Sequence, residues 1–190
     1  GDNLYTASLV ALKIETGELA WYQQITPHDI WGYDVAAPPV LFDLEVPGET
    51  PIPVVAQASK SGWLYLFNRM TGKQLRRSEP FVPMNEMMFH RPTPEGIVYA
   101  PGATGGANWP PTAFSHDTGW LYVAGIHNPT HLHVETDDEG EPISILDFVD
   151  DIERFGTLTA IDPADGKIEW QARTDLPVVS GSVATAGGLI

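Results

Sequence analysis

A short turn is written into this chain more than once, and it limits what the chain can fold into. The clearest copy runs Ala160-Ile161-Asp162-Pro163-Ala164-Asp165-Gly166-Lys167-Ile168-Glu169-Trp170. Its sibling is Ala11-Leu12-Lys13-Ile14-Glu15-Thr16-Gly17-Glu18-Leu19-Ala20-Trp21. Each reads as an apolar run, a turn ending in Gly, and an alternating run into a Trp, which is strand, tight turn, strand. Gly suits the last turn position because it takes a positive φ that a side chain resists. Thr16 and Asp165, just before it, can bond their own backbone and hold the loop. Two weaker copies carry Gly72 and Gly119, so glycines 17, 72, 119 and 166 lie 55, 47 and 47 residues apart. A repeat of about 50 residues is the size of a propeller blade.

The expected fold is therefore all-β, a partial β-propeller of about four blades or fewer. It forms a single incomplete domain over 1–190 with an acidic insertion around 129–154. The 18 Gly and 17 Pro fit many short strands joined by many turns. Closed rings take about four to eight blades, and an open arc leaves strand edges unpaired. The sequence is thus expected to be an internal piece of a longer protein, with the remaining blades outside it. Twenty-five acids against ten bases give a net charge of −15, which argues against nucleic acid or an anionic membrane as partner. The absence of Cys leaves the redox compartment open.

Along the chain, residues 4–24 form one hairpin, and 25–38 break the pattern with an aromatic-rich loop or strand entry at 26–34. Pro53 to Ala58 and Trp63 to Phe67 make a hairpin around Ser59-Lys60-Ser61-Gly62. Residues 78–96 lack periodicity and are expected to be a long connection over one face. A Gly-rich run from Gly102 leads to Asn108-Trp109, and Leu121 to Ile126 is a strand. Glu135 to Glu153 holds nine acids and no base. Without a D-x-[DN]-x-[DN]-G loop, it reads as a solvated surface excursion between strands rather than a calcium site. His131-x-His133 would put two imidazoles on one strand face, and His127 is near in sequence. Zinc or copper could use that spacing, but the pattern fixes no carboxylate or thiol partner. His28 is expected to shape the loop carrying Trp31; His90 and His116 read as surface or turn.

Gly1-Asp2-Asn3-Leu4-Tyr5-Thr6, Pro27-His28-Asp29-Ile30-Trp31, Asn108-Trp109 after a Gly-rich run, and Val183-Ala184-Thr185-Ala186-Gly187-Gly188 occur in this order. With the Gly-turn-Trp repeats, this set resembles the pyrroloquinoline quinone (PQQ) dependent alcohol and glucose dehydrogenases. Those are propellers of about eight blades from the bacterial periplasm or its membrane face. The resemblance covers essentially the whole chain. It implies PQQ and a calcium or lanthanide ion as cofactors, an alcohol or sugar substrate, a cytochrome or quinone as electron acceptor, and a periplasmic or secreted location. PQQ is a flat, polyanionic o-quinone, so its site needs an aromatic surface, cations and amides, and a hard metal ion. By the resemblance, Lys60 matches the cation that bonds the quinone oxygens, and Asn108 and Trp109 match a pair that contacts the cofactor. Trp31 reads as core or pocket wall, and Gly181 would lie near the cofactor.

One position departs from the family. The residue directly after the Trp is there the catalytic Asp; here it is Gly32, which cannot accept a proton. A second Asp, two residues later and associated with a larger metal ion, is kept as Asp34. If 31–35 is extended, positions 32 and 34 share a side. Asp34 is then a metal ligand, or it has taken over the base role, or the site is inactive. The family's other metal ligands, a Glu and an Asn, are expected upstream of residue 1. Two functions follow: a segment of a PQQ-dependent dehydrogenase, or a non-catalytic propeller that acts as a binding or assembly scaffold. Lys60, Asp34 and Asn108-Trp109 favour the first and Gly32 the second.

Overall fold

All four Gly turns adopt one conformation in the computed structural model, which describes residues 2–190. Gly1, the first residue of the 1–6 motif, lies outside the described residues. Each turn glycine donates its N–H to the carbonyl four residues earlier: Gly17 to Lys13 at 2.7 Å, Gly72 to Asn68 at 2.8 Å, Gly119 to Ser115 at 2.9 Å and Gly166 to Asp162 at 2.8 Å. Their φ angles are 71°, 72°, 73° and 79°, the left-handed region that a β-carbon disfavours. Thr16 and Asp165 accept from the N–H two residues on, at 3.3 and 3.0 Å.

Around these turns the described residues form thirteen strands. β1 (Ser8–Leu12) and β2 (Leu19–Gln24) pair as a hairpin. β3 (Val40–Leu44), β4 (Ile52–Ala58), β5 (Leu64–Asn68) and β6 (Gln74–Arg77) follow as a four-stranded antiparallel meander. β7 (Ile97–Tyr99), β8 (Ala113–Phe114) and β9 (Leu121–His127) come next, then β10 (Thr130–Thr136), β11 (Pro142–Phe148), β12 (Phe155–Ile161) and β13 (Ile168–Thr174). A second four-stranded sheet has the order β13-β12-β9-β8, and a three-stranded one the order β11-β10-β7. The chain is an all-β, partial propeller.

The structure revises one expectation and refines another. Gly72 and Gly166 join the third and fourth strands of their sheets, whereas Gly119 joins the first and second. The spacing of 47 residues is therefore not a blade period; equivalent turns stand at 72 and 166, and the 78–111 connection and the β10–β11 hairpin account for the added length. The acidic segment is a surface excursion between β9 and β12, with β11 exposed, but it is built as a hairpin. β10 and β11 pair in unbroken register from Thr130↔Phe148 to Thr136↔Pro142, and β10 also pairs with β7. β10 alternates Thr130, Leu132 and Val134 with His131, His133 and Glu135, whereas most of the acids lie in the turn between the strands and after β11, where they hide that period.

The largest core lies between the two four-stranded sheets. Phe42, Val54, Leu64 and Leu66 from the first meet Leu121, Val123 and Ile161 from the second. Phe81 and Val82 of the 78–96 connection are buried in the same cluster, as is Ala107. The connection is held there: Phe81 donates its N–H to Gly62 O, and its carbonyl accepts from Thr157 Oγ1 and Gln171 Nε2, each at 3.0 Å. A second joint links the first hairpin to the next sheet. The Trp21 ring lies flat on the Gly72 turn, where an added β-carbon would come within 2.7 Å of the indole, and Trp21 Nε1 donates to Arg69 O at 3.0 Å. Four residues after Gly72, where the copies at Gly17 and Gly166 have Trp, stands Arg76, and its side chain meets the Gly166 turn.

Candidate functional site

Three loops converge on one side of this core. The first is 27–34. Asp29 Oδ1 accepts from the N–H groups of Trp31 and Tyr33, both at 3.0 Å, and curls the segment. Trp31 is buried, donates Nε1 to His90 O at 2.7 Å and meets Phe89 edge to face at 5.3 Å. Tyr33 and Tyr99 are fully buried beside it, and Tyr99 donates its hydroxyl to Trp31 O. Burial pushes both phenols up, so they stay protonated. Trp31 is thus a wall residue, as expected. Asp29 shapes the loop through these two bonds, and sequence reading did not single it out, although an Asx residue two before a Trp is the residue type that makes such a bond.

The second loop is the β4–β5 turn. Ser59 and Ser61 are buried, with Ser61 Oγ 3.0 Å from Ser59 Oγ, and Gly62 takes a φ of 85°. Lys60 projects from this turn with its side chain only 13% exposed, and its ammonium forms an ion pair with Asp34 Oδ1. Asp34 is 52% exposed. The 31–35 segment is not extended, because Gly32 has a φ of 80°. Asp34 reaches the site through that bend rather than by strand alternation.

The third loop is the Gly-rich run. Gly106 approaches so closely that a β-carbon there would lie 2.2 Å from Lys60 O. Ala107 N–H then donates to Ser59 O at 3.0 Å, which sets Asn108 and Trp109 beside the Lys60 turn. Asn108 Oδ1 is buried and has no hydrogen-bond partner among the described residues. Trp109 leaves 73% of its surface exposed. A buried cation, an orphaned amide oxygen and an open indole therefore stand on adjoining turns. A buried amide without a partner costs about 1–3 kcal/mol, and a flat polar ligand would satisfy it. Gly181, by contrast, packs on Pro111.

Comparison with known proteins bears on the family and the fold. The model of the PQQ glucose/ethanol/alcohol dehydrogenase β-propeller domain matches residues 1–85. The quinoprotein ethanol dehydrogenase of Pseudomonas aeruginosa is 31% identical over the whole chain, and the quinohemoprotein alcohol dehydrogenase of Comamonas testosteroni 32%. The chain belongs to the quinoprotein dehydrogenase family. It spans about a third of the length of these curated relatives, 34% and 30%. Among solved structures, a europium-containing methanol dehydrogenase superposes with a TM-score of 0.83 at 28% identity, over 99% of this chain and 36% of that one. The Comamonas testosteroni quinohemoprotein superposes with 0.85 at 29%, over 98% and 32%.

The histidines divide differently from the sequence expectation. His127, on β9, packs on Phe155 with ring centroids 4.8 Å apart, and burial pushes its pKa down. It does not join the other two. His131 and His133 stack at 5.0 Å on β10, and a carboxylate does reach them: Asp147, across the hairpin.

Proposed function

We propose that this chain supplies part of the quinone-binding funnel of a PQQ-dependent dehydrogenase that oxidises an alcohol or a sugar. The observation that carries the reading is Lys60, a nearly buried cation held by Asp34 beside the orphaned Asn108 amide. When bound, PQQ with its calcium or lanthanide ion supplies the electrophile that takes hydride from the substrate. Lys60 hydrogen-bonds a quinone oxygen and stabilises charge that develops there. The Asn108 amide, which carries both donor and acceptor, bonds the polar rim, and Trp109 offers its open face to the ring. Asp34 has a double part. Oδ1 positions the Lys60 ammonium, and the second oxygen is a hard ligand for the metal ion or a base for the substrate proton. A cytochrome or quinone would take the electrons, and the protein would work in the periplasm or outside the cell.

The test is reconstitution of the full-length protein with PQQ plus calcium or a lanthanide. Tryptophan quenching reads binding, and dye reduction with alcohols and sugars reads turnover. Lys60→Ala should weaken PQQ by roughly 10- to 100-fold, the worth of one hydrogen bond to a charged group. Unchanged affinity in that variant would remove Lys60 from the site.

Gly32 favours a second reading, a propeller that binds partners without turnover. Gly32→Asp separates the two. Asp is among the side chains that enter the left-handed region, and a β-carbon at 32 would rest 3.4 Å from Ala103 Cβ, an ordinary contact. Activity that appears with calcium in this variant identifies the missing base; silence in both proteins across all metals favours the scaffold.

A further inference from the structure

We infer that His131, His133 and Asp147 form a binding site for a divalent d-block cation of the zinc type, separate from the quinone funnel. Strand alternation puts it on its own face. Leu132 and its partner Ile97 turn toward Trp31, Tyr33 and Tyr99. His131, His133 and Glu135 therefore point to the opposite side of the β11-β10-β7 sheet, where Asp147 stands directly across from His131.

The geometry there suits a small cation. Asp147 Oδ2 lies 3.4 Å from His133 Nδ1 and 3.9 Å from His131 Nδ1, and the three ligand atoms lie within 4.8 Å of one another. Zinc–nitrogen bonds of about 2.0–2.1 Å in a tetrahedron put neighbouring ligands roughly 3.3 Å apart. The two edges to Asp147, at 3.4 and 3.9 Å, are near that length, and side-chain rotation would have to close the third, which is no longer than 4.8 Å. Two imidazoles and one carboxylate are a donor set for zinc, copper or nickel rather than for calcium.

The contacts of His133 are independent support. His133 Nε2 is 2.9 Å from Glu135 Oε1, while Nδ1 is buried and has no hydrogen-bond partner among the described residues. Asp147 Oδ2 faces that nitrogen at 3.4 Å, and a cation between the two would be bonded by both. Carboxylates on the far nitrogen of metal-bound histidines fix the tautomer and ring. The rings are also seated from outside the hairpin. Gly96 presses on His131, since a β-carbon there would lie 1.9 Å from Nε2, and Val134 N–H donates to Thr93 O at 3.1 Å beside His133. Three protein ligands leave a fourth position for water or an exogenous group.

The experiment is calorimetric titration of the chelator-treated full-length protein with zinc chloride in excess calcium, which occupies oxygen-ligand sites. One saturable equivalent is expected in the wild type. His133→Ala and His131→Ala should weaken it by about 100-fold or more, and Glu135→Gln by about 10-fold. Cobalt(II) in place of zinc should give the visible bands of a four-coordinate site, lost in the same variants. Asp147→Asn, at an exposed strand edge, serves if a histidine variant unfolds. Absence of saturable zinc binding, or binding that survives loss of both rings, overturns the site. Neither result bears on PQQ affinity, which is read separately.

Discussion

The turns at Gly72 and Gly119 are the same turn in two settings. Their φ angles differ by one degree and their closing hydrogen bonds by 0.1 Å. Yet Gly72 is roofed by the Trp21 indole, while a β-carbon at Gly119 would meet nothing within 4 Å. The first is a joint between neighbouring sheets, the second a bend within one. Six or seven residues determine how the backbone turns; what comes to rest on it is decided by partners some fifty residues away.

Substitution can break this contrast. Gly72→Ala carries the left-handed penalty of about 1–2 kcal/mol and must also displace an aromatic ring, an overpacking cost of about 1–3 kcal/mol. Its stability loss should be the largest, about 3 kcal/mol by denaturant titration. Trp21→Ala removes the roof from the other side and deprives Arg69 O of its donor, for about 2.5 kcal/mol, less than a fully buried Trp because the ring is half-buried. Gly166→Ala should fall near 2 kcal/mol, since the contacts there, Arg77 O at 3.1 Å and the flexible Arg76 side chain at 3.2 Å, can shift. Gly119→Ala should cost only the backbone term, about 1 kcal/mol. Sharper still is the double variant. In a Trp21→Ala background, Gly72→Ala should drop to the cost seen at Gly119, a coupling of about 2 kcal/mol between the two positions. Equal costs at 72 and 119 in the wild-type background would erase the distinction drawn between them.

The same division explains how much could be read before folding. The turn conformations, the hairpin around Lys60 and the all-β class follow from local chemistry, and all are present. The family resemblance pointed to Lys60, Asp34 and Asn108-Trp109; the structure pairs Lys60 with Asp34 and holds the backbone just before Asn108 against the Lys60 turn. Sequence could not show that Lys60 would hold Asp34, because that pair depends on the bend at Gly32, which an extended 31–35 segment would not contain. Nor could it show Phe81 and Val82 as core, since the 78–96 connection has no period to betray a buried side. Asp147 sits sixteen residues from His131 and meets it only through hairpin register, so the histidine pair lacked its carboxylate on paper. The even glycine spacing misled for a related reason. Regular intervals arose from two unequal insertions rather than from equal blades.

The β10–β11 hairpin leaves its sheet after His127 and returns at Phe155, and those two residues are themselves ladder partners. Exit and re-entry therefore share one doorway, so β9 and β12 keep their pairing whatever length is threaded between them. Its base is constrained, because Leu132 packs with Trp31 and the buried Thr130 accepts from Ala103 N–H; its tip, beyond Thr136, is not. Relatives could lengthen, shorten or re-decorate that tip as an exchangeable cassette while the floor beneath its base stayed as it was.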